Sequence, residues 1–227
     1  MKVLYGAGIV DARGSLAGMT ASRNTYGAYV RSKVTPINKN TNAQQGVRQD
    51  LATMSQSWAG ITDAQRLAWN EIAPNWSKTG IFGNSQQFTG FNLYGRLNRY
   101  LQTIGQALIE DPILPGEVTG FTSASVVADT TAGTMVLTLN AATPAAQSTI
   151  VEATAALSAG KTFAGTAFRK ISTLTNGDGA TPDLEAAYIN KFGALPPVGS
   201  RVFVRVRPVV NATGQPGTTL QASDIAV

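Results

Sequence analysis

The chain has 227 residues, 43% hydrophobic and only 14% charged, with 18 Lys and Arg against 13 Asp and Glu for a net charge of +5. It contains no cysteine and no histidine. That excludes disulfides, thiolate nucleophiles and thiolate metal sites, together with the commonest general base and every Ser-His-Asp arrangement.

The length suits one large domain or two of roughly 100 residues each. Low charge with much Ala, Thr, Ser, Asn and Gln suggests surfaces that are covered in use, since monomers rely on charge for solubility. The Met-Lys-Val-Leu-Tyr start lacks the pattern of a secretory signal, and no run approaches the roughly 20 apolar residues of a membrane span. A soluble protein with no membrane partner is expected. Residues 1–110 carry 11 Lys and Arg against 5 acids, and residues 111–227 carry 7 against 8. A basic front half of this modest strength favours acidic protein surfaces over nucleic acid as partners.

Residues 1–41 read as an extended arm. "YGAGIV" (Gly6, Gly8) resembles a dinucleotide loop but lacks the third glycine and a following helix. "MTASRNTYGAYVRSK" has the pieces of a β-hairpin around "NTYG", with Asn24 and Gly27 able to form the turn. So small an apolar surface needs something to lie on. Pro36 then keeps Thr35 extended.

From Asn42 the period changes. Val47, Leu51, Met54 and Trp58 predict one helix face, ended by Gly60. Thr62 and Gln65 fit a capping box opening a second helix, with Leu67, Ala68 and Ile72 as its stripe and Pro74 as its stop. Trp58 and Trp69 are expected to seal this αα-hairpin, with Trp76 and Phe82 anchoring the loop that follows. A third helix starts near Thr89, its stripe running Phe91, Tyr94, Leu97, Leu101, Ile104 and Leu108, with Arg96 and Arg99 off that stripe. "EDPILPGE" ends it as a stiff linker.

The remainder alternates in short runs: "EVTGFTSASVVAD", "TMVLTLN", "STIVEATAAL", "TAFRKISTL", "RVFVRVRPVV" and "TTLQASDIAV". These predict an antiparallel sandwich of immunoglobulin or fibronectin III kind. Val202, Val204 and Val206 fall on one face of a strand, and Arg201, Phe203, Arg205 and Arg207 on the other. "TPDLEAAYINKFG" interrupts with a helix that Thr181 caps, Pro182 opens and Gly193 closes. The fold class is thus α+β: arm with hairpin (1–41), three-helix region (42–111), linker (112–116) and sandwich (117–227).

Little chemistry is on offer. "NGDGATPD" (Asn176, Asp178, Asp183) lacks the oxygen spacing and terminal glutamate of a calcium loop, and "NAT" at 211–213 reads as the turn between the last two strands. Asp50, Asp63 and Glu71 are isolated helix charges, while Glu110, Asp111 and Glu117 flank the linker. Glu152 sits in an apolar strand, facing inward or outward, with no second carboxylate placed opposite it. No catalytic, cofactor or metal site is expected, and the protein is not expected to be an enzyme. "SRNTYGAYVRSK" interleaves basic and aromatic residues, which suits base stacking but better suits a hairpin that adds to a neighbour's sheet. The candidate assembly contacts are Arg23, Tyr26, Tyr29, Arg31, Lys33, Arg96 and Arg99.

The succession "GSLAGMTASRNTYGAYVRSKVTPINKNTNAQQGVR", "MSQSWAGITDAQRLAWNEIA" and "FTGFNLYGRLNRYLQTIGQAL" resembles a family of uncharacterised bacteriophage- and prophage-encoded proteins, most specifically between about Gly14 and Pro112. The resemblance implies a basic hairpin arm, a Trp-rich helical region and a fibronectin-like C-terminal domain in a virion structural protein of a tailed phage, made in the bacterial cytoplasm. It carries no catalytic residues over. Expected partners are its own kind and other virion proteins, in a ring or lattice at a head–tail connector, tail or capsid surface. The alternative is a host-surface or glycan-binding adhesin on the sandwich. Phe203, Tyr188 and Phe192 are its candidate platforms, although core packing explains each more simply.

Overall fold

The computed structural model describes residues 2–4, 11–34, 38–76, 78–79, 83 and 85–227. Gly6 and Gly8, Thr35 and Pro36, and Phe82 lie outside the described residues. The chain divides into two compact units, Met1–Leu93 and Tyr94–Val227. The arm and first helices therefore form one unit, and the division falls inside the third helix, α3 (Gly90–Ile104), instead of at 112–116.

In the first unit, β1 (Gly14–Leu16), β2 (Met19–Asn24) and β3 (Gly27–Ser32) form an antiparallel sheet in chain order. The expected hairpin is its centre, with Asn24 opposite Gly27. Lys2 bridges Tyr29 on the far edge of β3, and Val3 N donates to the Ala28 carbonyl at 3.0 Å. Of the expected helices, α1 (Asn42–Gly60) starts at a Thr41–Gln44 capping box and α2 (Asp63–Ile72) at the Thr62–Gln65 box. Trp69 is fully buried, and a 3-10 turn, Ala73–Trp76, follows with Pro74 in it. A two-rung hairpin joins β4 (Lys78–Thr79) to β5 (Ser85–Gln86). Trp58 meets Phe91 edge-on at 5.7 Å between centroids.

The predicted α1 stripe is only half used. Met54 is 3% exposed, but Val47 and Leu51 stand 62% and 61% exposed. Met54 shows which face of the helix packs inward, while Val47 and Leu51, on the same stripe nearer its start, stay exposed.

In the second unit, α3 continues with Tyr94, Leu97 and Leu101 buried and stops earlier than predicted. Gly105, at a φ of 76°, turns the chain out of the helix. Its N–H and that of Gln106 then return to the Gln102 and Leu101 carbonyls at 3.2 and 2.9 Å, the bonding pattern of a glycine-closed helix end. Leu108, expected on the helix, lies beyond it.

Each alternating run contains a strand: β6 (Ala124–Asp129), β7 (Thr134–Leu139), β8 (Gln147–Ala153), β10 (Arg169–Leu174), β11 (Ser200–Val210) and β12 (Leu220–Ile225), with β9 (Leu157–Ser158) a short addition. A β6-β7 hairpin accompanies a sheet ordered β10-β8-β11-β12, in which β9 pairs the start of β11. Every pairing is antiparallel. One face of the sheet presents Val202, Val204, Val206 and Val151 to a core shared with Met135, Leu137 and Tyr188. A fully buried Val or Leu side chain contributes about 1.5–3 kcal/mol, so this core accounts for much of the unit's cohesion.

The last helix, α4 (Glu185–Phe192), ends at Gly193 as predicted but starts after Thr181 and Pro182. Residues 180–184 instead run beside β7. Leu139 N donates to the Ala180 carbonyl (2.8 Å), Leu137 N to that of Pro182 (3.1 Å), and Leu184 N to that of Met135 (2.7 Å). The outer edge of β7 needs acceptors for its amides, and a proline, though unable to donate, supplies a carbonyl. The architecture is mixed α+β, with several antiparallel sheets and four helices among the described residues.

A candidate anion-binding cleft on the second unit

The strand order brings together residues far apart in the chain. Glu152 on β8 stands in register with Lys170 on β10 and with Arg205 on β11, and Ile150 with Arg207. All lie on the sheet face opposite the valine core. The second half of α3 brings Arg96, Arg99, Tyr100 and Thr103 to this face, and a cleft of about 540 Å3 lies between them and Ile150, Glu152, Lys170 and Arg207.

Three contacts hold α3 there. Lys170 Nζ donates to the Thr103 carbonyl, one of the last helical carbonyls, which has no amide partner within the helix and a negative helix end behind it. Arg207 Nη1 donates to Tyr100 Oη at 3.0 Å while its Nε donates to Thr219 Oγ1 at 3.0 Å. Third, the turn at Gly214 approaches α3 so closely that a Cβ there would lie 2.2 Å from the Leu97 carbonyl oxygen.

Glu152, the carboxylate among the described residues lining the cleft, is already engaged. Glu152 Oε2 accepts from Arg205 Nε at 2.7 Å and lies 2.6 Å from its Nη2, and the Arg205 guanidinium sits 4.3 Å over the Phe168 ring. Glu152 therefore faces outward, one of the two orientations the sequence left open. Around it stand Arg96, Arg99, Lys170 and Arg207. Burial, and then the neighbouring Arg99 guanidinium, hold the Lys170 ammonium below its ordinary pKa. Four of the described residues that line the cleft are thus cationic.

Of the predicted assembly contacts, Arg96 and Arg99 line this cleft. The others lie in the first unit. Arg23 and Arg31 are exposed on opposite faces of the hairpin, since Arg23 pairs with Ala28 and Arg31 with Thr20. Tyr29 shares the Arg31 face and is half-buried; Lys33 is exposed. Tyr26 turns back to its own unit, its Oη accepting from Asn92 Nδ2 at 2.7 Å. The structure does not gather these arginines and tyrosines into one stacking surface. Missing from the sequence reading were Lys170, Tyr100 and Thr103 as cleft residues; their outward placement was legible, their convergence was not.

Three other carboxylates have local duties. Asp63 pairs with Arg66 at 2.6 Å, Asp178 accepts from Thr175 N, and Asp183 from Glu185 N. Among the described residues no three acidic, His or Cys groups converge to hold a metal. Two of the three aromatic platforms proposed for a glycan are inside: Tyr188 is 1% and Phe203 2% exposed, and Phe192 packs on Tyr188 at 4.7 Å. No helix among the described residues is long and apolar enough to cross a membrane. Compared with known protein families, curated proteins and solved structures, the chain matches none of them.

Proposed function

We propose that this chain is a structural, non-catalytic protein of a tailed-bacteriophage particle, assembling as a ring or lattice through residues 1–93. The observation that carries the reading is apolar surface in the first unit that its own core does not use. Leu16 and Met19 are cross-strand partners, 80% and 55% exposed, and Val47 and Leu51 lie one turn apart on α1, more than 60% exposed. Side chains of this kind suit a protein neighbour. β1 is three residues long, and its outer edge has no strand beside it among the described residues, which suits strand addition from a second copy. The phage-like succession of motifs between Gly14 and Pro112 supports the same reading.

We read the second unit as an immunoglobulin- or fibronectin III-like sandwich. The β10-β8-β11-β12 order corresponds to the C′-C-F-G sheet of that class, and β6, β7 and the 180–184 segment take the places of A, B and E.

Light scattering combined with small-angle X-ray scattering tests the assembly reading on the full chain. A closed oligomer is expected, reduced to a folded monomer by Leu16→Asp with Met19→Asp. A wild-type chain that is monomeric at every concentration overturns assembly with its own kind.

A further inference from the structure

The charge of the second unit is arranged more tightly than its composition requires. Residues 94–227 carry nine Lys and Arg and nine Asp and Glu, so the unit is neutral as a whole. Four of those nine cations, Arg96, Arg99, Lys170 and Arg207, nonetheless line one cleft, and Glu152, the carboxylate among its described lining residues, is held by a fifth, Arg205. Two of these cations are also fixed in place. Arg207 is tied to Tyr100 and Thr219, and Lys170 to the end of α3, so an incoming anion meets a preorganised charge and not mobile side chains.

We infer that this cleft binds an acidic peptide segment of a partner protein, its carboxylates entering between Arg96, Arg99, Lys170 and Arg207. It deepens the assembly reading by giving one partner its chemistry, and it rests on that reading only for the idea that a partner exists. Guanidinium forks match carboxylates two bonds at a time, and a carboxylate seated between Arg99 and Lys170 replaces repulsion with attraction. A volume of about 540 Å3 takes a few side chains. Ile150 and the Tyr100 ring add an apolar wall for their stems.

Nucleic acid fits less well. It asks for a positive track along a basic domain and for open aromatic faces. This unit is neutral, and Tyr100, the aromatic residue among those described in the cleft lining, carries the Arg207 guanidinium 5.7 Å from its ring centre.

The test is fluorescence anisotropy on the full chain with labelled hexaglutamate, hexaglutamine and a thymidine hexanucleotide, with inorganic phosphate as competitor. Hexaglutamate is expected to bind saturably and hexaglutamine not to bind. Arg96→Glu with Arg99→Glu should weaken hexaglutamate by about tenfold or more. Lys161→Glu with Lys191→Glu, an equal charge change at two exposed positions outside the cleft, should leave binding unchanged. In the wild-type chain, hexaglutamate should also shield Lys170 from reductive methylation, a readout that survives if the double reversal fails to fold. The inference is overturned by a hexanucleotide that binds as tightly as hexaglutamate, by phosphate that alone displaces the peptide at equal concentration, by indifference to the Arg96 and Arg99 changes in a folded variant, or by Lys170 left unshielded. None of these outcomes bears on oligomerisation through the first unit, so the two readings fail separately.

Discussion

Residues 1–93 hold nine Lys and Arg against four acids, and so carry the whole net charge of the chain, while residues 94–227 balance nine against nine. The same contrast appears in packing. The buried apolar side chains among the described residues of the first unit are Met54, Ile61, Trp69, Ala73, Trp76 and Leu93 alone, beside exposed Leu16, Met19, Val34, Val47, Leu51 and Leu67. In the second unit, a core running from Phe121 through Leu137 and Val204 to Ala226 is closed; Leu114, Val127, Phe163 and Val198 stand exposed outside it, and four cations line one cleft of its surface. Self-sufficiency is therefore uneven along the chain. One unit closes a large core and presents a polar cleft; the other buries few apolar side chains and carries a basic, partly apolar surface.

The sharpest way to break that contrast is to damage the closed unit where it has no slack. Gly214 has a φ of 69°, and a Cβ there would lie 2.2 Å from the Leu97 carbonyl oxygen and 2.9 Å from Leu101 Cγ. Gly214→Ala must both strain the backbone and push α3 off the turn. A loss of about 3 kcal/mol or more is expected, read by urea unfolding followed through near-UV circular dichroism. A loss under about 1 kcal/mol would mean that α3 sits loosely on this unit and that the cleft is not preorganised.

A smaller effect sharpens the same point through pH. Tyr188 Oη donates to the Thr154 carbonyl at 3.1 Å inside the second core, and burial pushes its pKa from the usual 10 up to about 12. Below pH 10 both folded and unfolded chains keep the proton, and its contribution is fully present. Between pH 10 and 12 the unfolded chain gives up the proton first, so stability falls, by about 2–3 kcal/mol at the upper end. Tyr188→Phe should lose about 1 kcal/mol at neutral pH, for the missing hydrogen bond, and should show a shallower alkaline decline than wild type. Parallel declines in the two proteins would place the titration elsewhere.

Much of this contrast was written locally in the sequence. The Asn24–Gly27 turn, the Thr62–Gln65 capping box, the six alternating runs and the inward valines of "RVFVRVR" each depend on residues within one turn or one strand of each other. Where prediction failed, the deciding partner was distant or the signal was overridden. Thr181 and Pro182 are sound helix-start residues, yet residues 180–184 run along the edge of β7, with one bridge at Val136–Asp183. Gly105 is a helix-stop signal that the apolar Leu108 outweighed in a reading by period alone. The cleft depended on strand order: Glu152, Lys170 and Arg205 share a row only because β8 lies between β10 and β11. Exposure of Val47 and Leu51 was illegible for a further reason. Periodicity tells which side of a helix is apolar and says nothing about whether that side meets its own chain.

Leu51 supplies the smallest effect on folding and the most direct probe of the open unit. It is 61% exposed on α1, whereas Leu101, the same side chain on α3, is fully buried. Leu51→Ser removes apolar surface that the isolated chain does not bury, so unfolding free energy should change by no more than about 0.5 kcal/mol. If a neighbour covers this face on assembly, the variant should still shift the monomer–oligomer equilibrium toward monomer by about tenfold. Removing one well-buried contact of about 1.4 kcal/mol has that consequence, and sedimentation equilibrium on wild type and variant measures it. An unchanged association constant would exclude this face of α1 from the contact and leave the β1–β2 edge as the surface through which the first unit is completed. A large loss of folding stability would mean instead that Leu51 is covered within the free chain, and the asymmetry between the two units would then narrow to the exposed Leu16–Met19 pair.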